Sequence, residues 1–124
     1  MSIRLLIVDD NAYFLEAARR LLERQGMTVV GVASTTLDAL RRAEELRPDV
    51  TLVDIELGQE SGFDLARQLA EGAGNGPRPV ILISAYPEQD LLDLIEASPV
   101  LGFLPKSALS GKAIFELVGR TEKE

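Results

Sequence analysis

The chain has 124 residues, of which 46% are hydrophobic and 27% charged, with 20 acidic against 13 basic side chains and a net charge of −7. That is one globular domain's worth, and it excludes disorder, fibrous repeats and, by charge, nucleic-acid binding through this segment alone. With neither Cys nor His there is no disulfide, thiolate, zinc framework, imidazole base or phosphohistidine carrier, so hydrolytic triads and most zinc enzymes are out.

Leu5 to Val8 is an apolar run without polar alternation, as a strand covered on both faces requires. Asp9-Asp10 stops it at once, so it is too short for a signal-peptide core or a membrane span. A cytoplasmic location and no membrane partner are expected. From Asn11 to Gln25, Phe14, Ala17, Ala18, Leu21 and Leu22 recur at helical spacing, and Gly26 ends the helix. Residues 28–33 read as a second strand. Thr35 or Thr36 caps a helix with Leu37, Leu40, Ala43 and Leu46 as its apolar face, closed by Pro48. Val50 to Val53 is a third strand running into Asp54, and Ser61 with Asp64 resembles a capping box opening a helix through Phe63, Leu65, Ala66 and Leu69.

Residues 71–79, with three glycines and two prolines, form the loosest stretch. Gly72 to Gly76 follows a helix and precedes a strand, the reverse of a dinucleotide-binding loop, so it reads as a turn. Val80 to Ile83 is a fourth strand ending at Ser84. Pro87 opens a helix to about Ala97. Val100 to Leu104 is a fifth strand, and Ser110 caps a last helix through Ile114, Leu117 and Val118. Gly111-Lys112-Ala113 lacks the remaining residues of a P-loop. Strands alternating with helices specify an α/β fold with a parallel sheet and helices on both faces. One domain is expected over residues 1–120, with 121–124 a tail or the start of a linker.

In an open parallel sheet, ligands bind beyond the carboxyl ends of the strands. Asp9 and Asp10 follow the first strand, Asp54 ends the third, Ser84 ends the fourth and Lys106 follows the fifth. Each alone is an ordinary loop residue; Asp9-Asp10 alone would be a helix-entry pair and Ser84 a strand-end hydroxyl. Together they place three carboxylates, a hydroxyl and an ammonium on one rim. Carboxylates so close repel by roughly 4 kcal/mol per pair at an effective dielectric near 20, so a cation belongs among them. An all-oxygen donor set favours Mg²⁺ or Mn²⁺. A metal with open positions beside a lysine and a hydroxyl suits a phosphoryl group, and the central carboxylate, Asp54, is the candidate nucleophile.

Val8-Asp9-Asp10-Asn11, Val53-Asp54-Ile55, Ile83-Ser84-Ala85 and Gly102-Phe103-Leu104-Pro105-Lys106-Ser107 occur in the order and spacing of one family. From Leu5 to about Val118 the sequence resembles the receiver domain of bacterial two-component response regulators. The resemblance implies a doubly wound, flavodoxin-like sheet of order 2-1-3-4-5, for which receivers are themselves a standard example. It implies that Asp54 accepts the phosphoryl group and that Asp9, Asp10, Asp54 and the backbone carbonyl of Glu56 hold Mg²⁺, one of the acids through water. It implies that Lys106 pairs with the phosphoryl group, that Ser84 hydrogen-bonds it, and that Phe103 is the aromatic partner of Ser84 in a conformational switch. Glu56 and Tyr86, each two residues past a site residue, sit where the family tunes the lifetime of the acyl phosphate. The partners implied are a histidine kinase or phosphotransfer protein, an output domain or target protein, and a phosphorylated homodimer. The stretch from Gly102 to Leu109 looks most like receivers that precede a helix-turn-helix output domain, which would make the output transcriptional. On this reading the chain is no enzyme beyond assisting its own phosphorylation and dephosphorylation.

Ser107 stands where many members have proline with a cis bond. A non-proline cis bond costs roughly 3–4 kcal/mol, which favours a trans Lys106-Ser107 peptide. Two rival readings compete for these residues. A haloacid-dehalogenase-type phosphatase places its nucleophile after the first strand, whereas Asp54 follows the third. A pseudo-receiver that only binds protein would not need the intact set of Asp9, Asp10, Asp54, Ser84 and Lys106.

Overall fold

In the computed structural model, which describes residues 3–72 and 79–122, the apolar runs pair into one five-stranded parallel sheet. Its strands are β1 (Arg4–Val8), β2 (Thr28–Ala33), β3 (Val50–Asp54), β4 (Val80–Ser84) and β5 (Gly102–Pro105), in the order β2-β1-β3-β4-β5. This is the doubly wound, flavodoxin-like order that the resemblance implied. The three middle strands are buried along nearly their whole length, which is why they lack polar alternation.

Helices α1 (Ala12–Arg24) and α5 (Gly111–Glu122) cover one face, packing Leu15, Leu22, Ile114 and Leu117 against Leu5, Ile7, Leu52, Ile81 and Ile83. Helices α2 (Thr36–Leu46) and α3 (Gly62–Glu71) cover the other, with Ala39, Ala43, Leu65 and Leu69 against Leu6, Val8, Val53 and Leu82. Successive residues of a strand alternate between these two cores, and both run the full depth of the sheet. Each of these helices starts at a side-chain cap. Asn11 Oδ1 accepts from the N–H groups of Tyr13 and Phe14, Thr35 Oγ1 from Asp38, Ser61 Oγ from Asp64 and Ser110 Oγ from Ala113. The cap of α2 is therefore Thr35. At Ser61 only half of the capping box forms, because the Asp64 carboxylate turns to Arg67 at 2.7 Å.

Several expected details change. The helix expected from Pro87 to Ala97 breaks into a 3₁₀ turn (Glu88–Asp90) and a single short helix, α4 (Leu92–Glu96), separated at Leu91. Glu88, Asp90, Asp93 and Glu96 are the only charges between Pro87 and Ala97, so like charges meet at helical spacing with no basic partner. Neither piece has a side-chain cap. The inward faces also shift. Leu37 is exposed and Ala39 takes its place, since Leu37 lies about 120° round the helix from buried Ala43. On α1, Leu15 is buried and Ala17 exposed. Strand β5 begins at Gly102 rather than Val100. The glycine-rich turn expected over 72–76 lies, apart from Gly72, outside the described residues. A hairpin that the sequence did not announce, of the two-residue strands Glu56–Leu57 and Glu60–Ser61, follows β3. Among the described residues no helix is long and apolar enough to cross a membrane.

Candidate functional site

The parallel register aligns the strand ends, with Val8 beside Val53, Asp54 beside Ile83 and Ser84 beside Pro105. Whatever follows those residues must therefore gather on one rim. Asp9 is fully buried there, its own N–H donating to Ala33 at 3.0 Å and so prolonging the β1–β2 ladder by one residue. Its Oδ1 accepts from the Asn11 N–H at 2.8 Å, and its Oδ2 meets Lys106 Nζ at 2.6 Å as an ion pair rather than a well-directed hydrogen bond. Asp54 is 6% exposed; Oδ1 accepts from the Glu56 N–H at 3.1 Å and Oδ2 lies 3.0 Å from the same ammonium. Asp10 is exposed at the mouth. One carboxylate oxygen from each of Asp9, Asp10 and Asp54 lies within 4.8 Å of the others, so the three can hold a single ion. They line a cleft of ≈ 260 Å³ with Asn11, Glu56, Gly58, Ala85 and Lys106.

Burial pushes the Asp9 carboxyl above the usual carboxylate range; Lys106 and the Asn11 N–H pull it back, and the Asp54 charge adds to the rise. For Lys106, burial works against the ammonium, but the two carboxylates together outweigh it and hold the group above an ordinary lysine. The lysine thus occupies, in part, the place of the cation that the acids require. The donor set is all oxygen and hard, which fits Mg²⁺ or Mn²⁺. The buried Asp9 Oδ2, whose charge is met by the Lys106 ammonium and by no well-directed donor, is an oxygen such a cation could engage.

Of the residues picked out in the sequence, Asp9, Asp10, Asp54, Glu56 and Lys106 come together in this cleft. Ser84 is buried beside it, with its Oγ accepting from the Tyr86 N–H at 2.9 Å. Tyr86 is half exposed at the rim. Phe103 is only 8% exposed and packs in the α2–α3 core. The Lys106–Ser107 peptide is trans, as Ser107 favours.

Four further residues shape the site without having been picked out. A Cβ at Gly62 would collide with the carbonyl of Asp54, and the Gly62 N–H donates to Ile55 at 2.9 Å, so only glycine lets α3 start this close to β3. Gly58 turns the hairpin at φ +65° and faces Asp10. The Glu60 carboxylate accepts from the Thr36 N–H at 2.8 Å, fastening the hairpin to the start of α2. Phe14 lies under Lys106, with Nζ 4.3 Å from the ring centre. Spacing marked Phe14 only as part of a helical face; the glycines of Glu56-Leu57-Gly58-Gln59-Glu60-Ser61-Gly62 were the available sign of a tight turn there.

A doubly wound parallel sheet with an acidic, lysine-bridged cleft at its carboxyl rim is the architecture of a receiver. The response regulator receiver domain profile matches residues 5–116, and the chain belongs to that family. It therefore works in phosphorylation-dependent signalling, where receivers interact with a histidine kinase and an output domain. The signal receiver domain of the response regulator NarL from Mycobacterium tuberculosis superposes with a TM-score of 0.83 at 28% identity, covering 95% of this chain and 97% of that one. The response regulator domain of Thermotoga maritima CheB superposes with a TM-score of 0.79 at 26% identity, covering 100% and 98%. Among curated proteins, a protein-glutamate methylesterase/protein-glutamine glutaminase from Myxococcus xanthus is 37% identical over 119 residues, 94% of this chain and 34% of its own length. Its namesake from Thermotoga maritima is 35% identical over 96 residues, 77% of this chain and 27% of its own. The chain spans about a third or less of the curated relatives it matches.

These names correct one expectation. The chain was expected to be no enzyme beyond its own phosphoryl chemistry, yet the relatives it matches are named as enzymes. The expected transcriptional output likewise finds no support in them. The stretch from Gly102 to Leu109 builds β5 and the turn after it, which receivers need whatever follows them, so it does not distinguish one output from another.

Proposed function

We propose that the chain is the receiver segment of a protein-glutamate methylesterase-type regulator, switched by phosphorylation of Asp54. The output half of the proposal rests on the names of the curated relatives, and the chemical half on the cleft. The observation that carries it is one ammonium, Lys106, between two nearly buried carboxylates, Asp9 and Asp54, with Asp10 open at the mouth.

Asp54 ends the central strand, so its carboxylate is held in place by the sheet and by the Glu56 N–H. It attacks the phosphorus of a phosphohistidine or a small phosphodonor; the new O–P bond forms as the donor's bond to phosphorus breaks, and the donor keeps the electron pair. Asp9, Asp10, Asp54 and the Glu56 carbonyl would hold Mg²⁺, which supplies positive charge to the phosphoryl oxygens. Lys106, freed from the Asp54 carboxylate as it becomes an acyl phosphate, keeps its charge beside the same oxygens. Ser84 exchanges the Tyr86 N–H for a phosphoryl oxygen and so carries the change toward β5 and Phe103. Glu56 and Tyr86 flank the path of water and set how long the acyl phosphate lasts.

Incubation with Mg²⁺ and a small phosphodonor, followed by intact-mass measurement, should show a single phosphoryl adduct that Asp54→Asn abolishes. An adduct that survives in Asp54→Asn defeats the assignment.

A further inference from the structure

Lys106 reaches the cleft on a four-carbon stem that the local backbone does little to aim. Ser107 follows it, and the 3₁₀ turn Lys106–Ala108 has no side-chain cap. Its ammonium nevertheless has a defined place, 2.6 Å from Asp9, 3.0 Å from Asp54 and 4.3 Å from the centre of the Phe14 ring. Phe14 is the third residue of α1, and its own N–H is capped by Asn11 Oδ1 at 3.2 Å. The ring is half-buried against the α1–α5 core. The cap that starts α1 just after the acid pair thus also sets the ring under the lysine.

We propose that Phe14 is the positioning residue for Lys106. The inference rests on the proposed role of Lys106 in pairing with a phosphoryl group. Both carboxylates change when the site is used: Asp9 is shared with a cation, and Asp54 becomes an acyl phosphate, a mixed anhydride. The negative face of an aromatic ring depends on neither event. Phe14 is therefore the partner whose hold on the ammonium is the same before and after the site is used, and it keeps the stem from swinging out to solvent while the ammonium moves from the Asp54 carboxylate to the phosphoryl oxygens. A leucine in its place would fill much of the same core space but offer no such face.

The test uses Phe14→Leu and Phe14→Tyr, with Lys106→Ala as reference. In metal-free wild type, the ε-methylene protons of Lys106 should resonate upfield through the ring current of Phe14. The shift should persist in Phe14→Tyr and vanish in Phe14→Leu. With Mg²⁺ and beryllofluoride as the phosphoryl mimic, Phe14→Leu should bind roughly three- to thirty-fold more weakly than wild type, the range of a partly desolvated cation–π contact. Phe14→Tyr should bind within two-fold or so of wild type, which a loss of packing alone would not predict. Ordinary lysine shifts in the wild type would overturn the inference. So would full beryllofluoride affinity in Phe14→Leu beside a weakened Lys106→Ala. If Lys106→Ala itself binds as wild type does, the proposed function falls, and this inference with it.

Discussion

Removing the Lys106 ammonium while keeping its stem, as in Lys106→Met, tests the electrostatics of the cleft directly. At an effective dielectric of 20, its contacts at 2.6 and 3.0 Å are worth about 6 and 5.5 kcal/mol of gross attraction. Against them stand a repulsion between Asp9 and Asp54 of at least about 3.5 kcal/mol at 4.8 Å or less, and the cost of taking three charges out of water. The attraction and the penalties largely cancel, so the intact cluster adds little net stability. Taking away one partner does not cancel: it leaves the fully buried Asp9 beside Asp54 with backbone N–H donors but no opposite charge to offset it, at about 3–5 kcal/mol. For a domain of this size that is a fall of about 10–20 °C in melting temperature. The pH dependence has a definite sign. Burial raises the folded Asp9 pKa, so its contribution is fully present below the unfolded value and is lost as pH rises through the folded one. Without Lys106 that rise is larger, and the deficit should shrink toward acid as Asp9 takes up its proton. Urea unfolding in EDTA, at neutral pH and at about pH 4, measures both effects. Mg²⁺ should then restore more stability to Lys106→Met than it adds to wild type, because no ammonium competes for Asp9 and Asp54. A variant as stable as wild type in EDTA at neutral pH, or a deficit that grows toward acid, would refute this account.

Asp10→Asn should raise the melting temperature in EDTA and weaken Mg²⁺ binding in calorimetry; the gain is limited to about 1 kcal/mol because Asp10 is exposed and water screens its charge. Ser84→Ala should leave the Tyr86 N–H without its acceptor, cost about 1 kcal/mol in urea unfolding, and still take up phosphate on Asp54. Amide shifts around Phe103 on phosphorylation should be weaker in that variant; full wild-type shifts would show that the coupling runs elsewhere. Tyr86→Ala should change the lifetime of the phosphorylated protein, followed by intact mass, and leave Mg²⁺ affinity alone.

The fold was legible wherever one physical requirement decided the local structure. Strands buried on both faces must be apolar throughout, so Leu5–Val8, Val50–Val53 and Val80–Ile83 were plain, and Asn11, Ser61 and Ser110 marked helix starts because a helix leaves N–H groups that need an acceptor. The misreadings fell where two requirements competed. Leu37 looked like core by hydropathy, but Ala39, Leu40 and Ala43 make up the side of α2 that packs on the sheet, and Leu37 lies outside it. The stretch from Pro87 to Ala97 has the spacing of a helix, yet its four acids repel one another, and the turn at Leu91 lets Leu91 and Ile95 reach the core without a continuous helix.

The candidate site was legible to the extent that strand ends define it. A parallel sheet turns sequence position directly into spatial position, so an acid after β1, an acid at the end of β3 and a lysine after β5 had to meet. What the sequence hid are contacts that cross between elements without a periodic signature. Gly62 matters because a helix starts against the Asp54 carbonyl, Glu60 because its carboxylate finds the N–H of a residue 24 positions earlier, and Phe14 because Lys106 arrives over it from the far end of the chain. None of the three carries the acid chemistry itself. Each fixes the position of something that does: Gly62 the strand end of Asp54, Glu60 the hairpin that carries the Glu56 carbonyl, and Phe14 the ammonium. Substitutions at these residues should therefore disturb phosphoryl chemistry through geometry while leaving every acid and the lysine in place, which separates them experimentally from the carboxylates they support.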